Sequence, residues 1–189
     1  TSILGFARGE KGNLLFHSKD PRTGDQLETA YAHASESEIS KACELAEKAS
    51  LPMASLGGME KAKFLRNLAD RLDSLVEELV AIMPLETGLP EPRVRAETGR
   101  TSGQLRMFAR LLETGNWVDA RIDRAQPERQ PMPKPDLRAM LRPVGPVAVF
   151  CASNFPLAFS VAGGDSASAW AAGCPVIVKA HHAHPGTAL

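Results

Sequence analysis

The sequence has no excess of either charge: 22 Lys and Arg balance 22 Asp and Glu, and the formal net charge is zero. Without a basic excess there is no electrostatic case for nucleic acid as a partner. No run approaches the ~18 consecutive apolar residues of a membrane-spanning helix, so no membrane partner is expected. Cysteine is sparse as well. Cys43, Cys151 and Cys174 sit in apolar contexts with no C-x-x-C spacing, which argues against a disulfide framework or a zinc knuckle and for reduced thiols. The G-x-G-x-x-G fingerprint, the P-loop and the G-x-S-x-G elbow are all missing, and with them the ordinary signatures of dinucleotide, nucleoside triphosphate and serine-hydrolase sites. The opening TSILGFARGE lacks the charged and then apolar regions of a secretory signal, so a cytoplasmic location is the expectation.

What is present reads as a soluble chain of 189 residues with ordinary apolar and charged fractions and no internal repeats. A turn at Pro21-Arg22-Thr23-Gly24-Asp25, between apolar Leu14-Leu15-Phe16 and Leu27, predicts a hairpin over residues 9–27. Ser35 with Glu38 three residues on is a capping-box pattern, and Ile39, Ala42, Cys43, Ala46 and Ala49 follow at helical spacing up to a break at residues 51–58. Apolar positions from Ala62 to Val80 predict one long second helix closed by Gly88. Pro90 and Pro92 open a third, running to Leu112 with Gly115 after it. Its Arg93, Arg95, Arg100, Arg106 and Arg110 form a basic face that is either a solvated surface matched by nearby Glu or a contact for an anion. Residues 117–140 hold Pro127, Pro131, Pro133 and Pro135, which forbid a central strand and predict an extended arm.

The chain is organised around residues 142–187. The short β-branched runs at residues 147–150 and 175–178 predict two strands buried in a parallel sheet, joined through a helix over residues 157–172, in a span close to the ~30 residues of a βαβ unit. Gly163 and Gly164 inside that helix would each cost about 1 kcal/mol relative to Ala, offset by close packing. Ligands of such sheets bind beyond the carboxyl ends of the strands. Ser153 and Asn154 follow the first strand; Lys179, His181 and His182 follow the second. Asn154 before Pro156 is placed either to cap a helix or to offer its amide to a ligand. Lys179 is placed either in solvent or against the ribose of a dinucleotide. His181, His182 and His184 match no metal-ligand spacing and have no Cys or carboxylate beside them, so no metal is assigned.

Gly145-Pro146-Val147 through Asn154-Phe155-Pro156-Leu157, followed by Ala171-Ala172-Gly173-Cys174-Pro175-Val176-Ile177-Val178-Lys179, resembles the aldehyde dehydrogenase superfamily. The upstream helices and proline-rich arm are similar to that family's N-terminal half. The segments ASNFPLAFSVAGGD and VKAHHAHPG look most like the subgroup acting on α-ketoglutaric semialdehyde and the related NADP-preferring fatty aldehyde enzymes.

The resemblance implies an α/β fold: a partial Rossmann-like parallel sheet at residues 141–189, preceded over residues 1–140 by long helices, a hairpin and a β-arm. It implies oxidation of an aldehyde to the acid with NAD(P)+, through attack by a thiolate, hydride transfer to nicotinamide and hydrolysis of a thioester. In that scheme Asn154 stabilises the oxyanion, Lys179 holds the adenosine ribose, and Cys151 and Ser153 lie against the same nucleoside. His182 stands where NAD-preferring members often carry Glu, which leans the cofactor toward NADP. Ser153 replaces a common Trp, as in the subgroup, and Cys151 replaces a residue more often Gly. The family's glycine-rich loop, general-base Glu and nucleophilic Cys have no counterpart up to Leu189, so the chain is expected to be an N-terminal portion, inactive alone, of an enzyme that forms homo-oligomers. An acyl-reducing relative on the same scaffold and a non-catalytic module for oligomerisation are the alternatives.

Overall fold

The structure, a computed structural model, describes residues 1–9 and 14–189. Strands β1 (Ile3–Leu4) and β2 (Ala7–Arg8) pair around Gly5. The hairpin predicted over residues 9–27 is formed by β3 (Leu15–Lys19) and β4 (Gln26–Ala32), paired antiparallel; its upstream part at residues 10–13 lies outside the described residues. Its turn is locked by Asp20. The Arg22 backbone N–H and Nε each donate to one carboxylate oxygen at 2.9 Å, Arg22 Nη2 donates to the other at 2.6 Å, and together they lower the Asp20 pKa from 3.8 to about 2.

Helix α1 (Glu36–Ser55) begins as its capping box predicts: Glu38 N–H donates to Ser35 Oγ at 3.2 Å and Ser35 N–H donates to the Glu38 carboxylate at 2.9 Å. It does not stop at Leu51. Pro52 lies within it, forfeiting one intrahelical hydrogen bond without ending the helix. The long second helix is two, α2 (Gly58–Ser74) and α3 (Val76–Thr87), interrupted at Leu75 with φ −94° and ψ 4°. The apolar spacing runs on across the break because Leu65, Ala69 and Leu72 before it and Leu79 and Met83 after it enter the same core. Gly88 closes α3 at φ +70°. Helix α4 (Glu91–Thr114) starts after Pro90 and ends at Gly115, in agreement with the sequence pattern. After a 3-10 turn at Asn116–Val118, strands β5 (Arg121–Asp123) and β6 (Leu137–Ala139) pair antiparallel as an arm whose strand residues are all exposed.

Strands β7 (Val147–Phe150) and β8 (Val176–Lys179) form the predicted parallel pair, joined through α5 (Gly164–Ala172); the four-residue α6 (Pro185–Ala188) follows. The burial expected of these strands is not found: of their eight residues Val149 alone is buried and Phe150 is 74% exposed, because the sheet has two strands among the described residues and much of its surface is uncovered. The helix expected from Leu157 begins only at Gly164. Residues 156–163 instead curl into turns, with Phe159 N–H on the Phe155 carbonyl, Gly163 N–H on that of Ser160 and Gly164 N–H on that of Ala158. This brings the Ala158 carbonyl so near Gly163 that a Cβ there would stand 2.5 Å from it. Gly163 is therefore a point of close backbone approach preceding the helix, not a weak position inside it. One core joins residues on both sides of position 140: Leu65, Val94, Leu105 and Ala109 from the helices pack with Leu157, Ala167 and Ala171 from the βαβ unit.

Candidate functional site

The ladder between β7 and β8 pairs Val147 with Val176 and Phe150 with Lys179, so the two strands end level. Cys151 N–H extends it by donating to the Lys179 carbonyl at 3.1 Å. Ser153 and Asn154 leave β7 exposed, and Lys179 and His182 are exposed at and after the end of β8. Four of the five expected site residues thus reach solvent at one end of the parallel pair. Asn154 starts no helix and makes no side-chain hydrogen bond among the described residues, so its amide is not spent on capping. Cys151 differs. Its thiol is buried and accepts from Ser160 Oγ at 3.2 Å, which leaves a ligand only its main chain.

The loop carrying Asn154 is fixed on both sides. Upstream, Ala152 N–H donates to the Phe159 carbonyl at 2.9 Å, and the fully buried His184 donates from Nε2 to the Ala152 carbonyl at 2.9 Å. Downstream, Leu157 N–H and Ala158 N–H both donate to Glu97 Oε1 at 2.9 Å. The Arg93 guanidinium lies 3.4 Å from the other Glu97 oxygen and stacks over the Phe155 ring at 4.6 Å, while Arg100 lies over Phe159 at 5.3 Å. Gln104 reaches Gly164. Residues 93, 97, 100 and 104 fall at i, i+4, i+7 and i+11, one stripe of α4 facing residues 155–164.

The basic face read from the sequence is thereby divided. Arg95 is bound by Glu77 and Glu91, and Arg106 by Asp70 and Asp73, as a solvated surface would have it. Arg93 and Arg100 turn to the strand-end loop instead.

Beyond β8 a second buried carboxylate does comparable work. Glu86 accepts from Gly186 N–H, Thr187 N–H and Thr187 Oγ1, all at 2.8 Å, and from Ser18 Oγ at 3.2 Å. His181 stacks on His182 and on His184, with ring centroids 4.4 and 5.2 Å apart. Burial first, then the neighbouring His182, His184 and Lys179, push the His181 pKa down. No group of three His, Cys, Asp or Glu among the described residues is arranged to hold a metal ion.

A separate pocket of about 300 Å³ lies away from the strand ends, lined by Lys61, Leu112, Trp117, Leu141 and Arg142 among others. The Lys61 ammonium stands 4.7 Å over the Trp117 ring, and burial lowers its pKa.

Residues 6–189 match the sequence profile described as the aldehyde dehydrogenase family. This chain belongs to the aldehyde dehydrogenase family. It is 49% identical over 180 residues to alpha-ketoglutaric semialdehyde dehydrogenase 2 of Azospirillum brasilense, a match covering 95% of this chain and 34% of that protein. It is 48% identical over 158 residues to alpha-ketoglutaric semialdehyde dehydrogenase of Acinetobacter baylyi, covering 84% and 30% respectively. The chain therefore spans about a third of the length of the curated relatives it matches.

Among solved structures, succinate-semialdehyde dehydrogenase of Burkholderia pseudomallei superposes with a TM-score of 0.74 at 27% identity, over 93% of this chain and 34% of that one. Aldehyde dehydrogenase 21 of Physcomitrella patens, in complex with succinate, superposes with 0.80 at 24% identity, over 98% and 37%, and shares the fold. Aldehyde dehydrogenases are NAD(P)-dependent oxidoreductases, and the level strand ends suit such a cofactor. Lys179 there has no ion-pair partner among the described residues, and an exposed ammonium at this edge fits an oxygen-rich ribose or phosphate.

Proposed function

We propose that this aldehyde dehydrogenase chain serves an enzyme that oxidises a semialdehyde acid, α-ketoglutaric semialdehyde foremost, to the dicarboxylic acid with NADP or NAD. The observation that carries the reading is that Lys179 ends β8 level with the end of β7 and that Asn154, in the loop after β7, is exposed at the same end of the pair. The names of the two relatives near half identity support the substrate.

In this reading Asn154 is the catalytic residue of the chain. As a nucleophile adds to the aldehyde carbon, negative charge grows on the carbonyl oxygen, and a fixed amide N–H aimed at that oxygen favours the transition state over the ground state by about 3–4 kcal/mol. An amide already engaged elsewhere would have to break a bond first; that of Asn154 is not so engaged among the described residues. Lys179 and His182 would hold the ribose end of the cofactor, with the main chain of Cys151 and Ser153 beside them. The nicotinamide supplies a hydride acceptor when bound. His182 brings no carboxylate to repel a 2′-phosphate, which favours NADP. The exposed β5–β6 arm is the surface we assign to contact with a second copy in a homo-oligomer. Free thiols at Cys43, Cys151 and Cys174 accord with a cytoplasmic setting.

The test is an assay of the product of the whole reading frame with α-ketoglutaric semialdehyde and each cofactor. Reduction of NADP in preference to NAD is expected; no reduction of either would end the proposal.

A further inference from the structure

We propose that Glu97 is a positioning residue for the oxyanion donor, holding the loop that carries Asn154 from a helix remote in sequence; this rests on the function proposed above. Between Ala152 and Leu157 the chain passes through Ser153, Asn154, Phe155 and Pro156. Among the described residues, only Phe155 of these four has its main chain tied, by the Phe159 N–H on its carbonyl. The place of Asn154 is therefore set by the anchors on either side. The upstream anchor is the strand end with His184. The downstream anchor is Glu97, whose Oε1 takes both the Leu157 and Ala158 N–H at 2.9 Å while the side chain is almost wholly buried. Arg93 ties the same carboxylate to Phe155, the residue next to Asn154. Removing Glu97 leaves two buried N–H groups unpaired and one end of the loop free. An oxyanion donor displaced by about 1 Å loses on the order of 10²-fold in rate.

A buried carboxylate that serves only the core would affect the two strand ends alike. Among the described residues the Glu97 carboxylate is bonded on the Asn154 side, by Leu157, Ala158 and Arg93, whereas Lys179 ends the other strand and the Glu86 clamp holds the segment after it. The loss should therefore fall on kcat and spare cofactor affinity. The conservative variant sharpens this. Both N–H groups use one oxygen of Glu97, so Gln can keep that acceptor while its amide nitrogen replaces the oxygen facing Arg93.

The experiment compares wild type, Glu97→Ala and Glu97→Gln of the full-length protein in two measurements: steady-state kinetics with α-ketoglutaric semialdehyde and NADP, and amide hydrogen exchange. Glu97→Ala should lower kcat by about 10²-fold with the cofactor KM changed by less than about threefold. The Leu157 and Ala158 amides should exchange at least about tenfold faster while those of β8 do not change. Glu97→Gln should recover most of both. Unchanged exchange at Leu157 and Ala158 would overturn the anchoring role whatever the activity. Faster exchange with unaltered kcat, or with kcat and cofactor affinity falling together, would overturn its link to catalysis. A wild-type protein that reduces no cofactor would refute the proposed function and the catalytic role with it, leaving exchange to decide the anchor alone.

Discussion

Glu86 offers the most exacting test of the packing. Replacing it with Ala removes the acceptors of Gly186 N–H, bound through one oxygen, and of Thr187 N–H and Oγ1, bound through the other. The hydroxyls of Thr187 and Ser18 can rotate to new partners, but the two amides cannot. A buried donor left unpaired costs about 1–3 kcal/mol, giving ~2–6 kcal/mol for the pair. Gly186 and Thr187 are half-buried, and the space vacated by the carboxylate admits water, so the lower half of that range, about 2–4 kcal/mol, is expected. With a urea dependence of about 2 kcal/mol per molar, the denaturation midpoint should fall by roughly 1–2 M. Glu86→Gln should lose about half as much. The two amides use different oxygens of Glu86, so a carboxamide must set its own N–H against one of them. Equilibrium urea denaturation of the three proteins measures this. A Glu86→Ala stability within about 0.5 kcal/mol of wild type, or a Gln variant as stable as wild type, would refute the reasoning.

In the full-length enzyme, Asn154→Ala should reduce kcat by about 10²–10³-fold with little change in cofactor affinity, whereas Lys179→Ala should weaken cofactor binding and spare kcat; equal losses in both parameters would undo the division of roles. Gly163→Ala should lower the melting temperature, because its Cβ would meet backbone atoms of Ala158 and Ser160 at 2.5–2.7 Å and overpacking costs about 1–3 kcal/mol. At Gly164 the nearest atoms to an added Cβ belong to the end of the Gln104 side chain, which can shift, so Gly164→Ala should cost less than Gly163→Ala; the two variants melting together would contradict this. Acid should loosen the β3–β4 turn. The Asp20 pKa is depressed in the folded state, so the Arg22 contact contributes its full stability above pH 3.8 and loses it as pH falls toward about 2. The Asp20→Asn variant should show no such loss in hairpin amide exchange over that interval.

Local signals in the sequence were legible where the partners are near in the chain. The Ser35–Glu38 box, the Pro90 entry to α4 and the glycines at 88 and 115 all involve atoms within a turn of one another, and each stands where the pattern put it. The parallel pairing of β7 and β8 was legible too, from the short β-branched runs, but their burial was not: such runs suit a strand covered on both faces, whereas here Val149 alone is buried in a sheet of two strands among the described residues. Three further readings failed for physical reasons. Hydrophobic spacing does not report a break such as Leu75 when both halves face one core. Small residues at 157–163 suit turns as well as helix. Pro52 was read as part of a break, but costs α1 one hydrogen bond rather than its last turn.

The supports of the site were harder to see. Glu86 and Glu97 look like surface charges, because carboxylates are rarely buried, and their partners are backbone N–H groups some sixty to a hundred residues away, which carry no sequence signature. The faint signal was the polar stripe Arg93, Glu97, Arg100 and Gln104 on a helix expected to be solvated.

The level ending of β7 and β8 carries a consequence for how the protein tolerates change. Because the span between the Asn154 loop and Lys179 is set by a ladder of peptide hydrogen bonds, it is counted in whole residues. Side-chain substitutions along either strand can erode stability while leaving that span as it is. Inserting or deleting one residue in β8 is different in kind: it moves the lysine by about 3.3 Å and turns it to the opposite face of the sheet. The strands act as a ruler with fixed graduations, and length, more than identity, is what they must conserve.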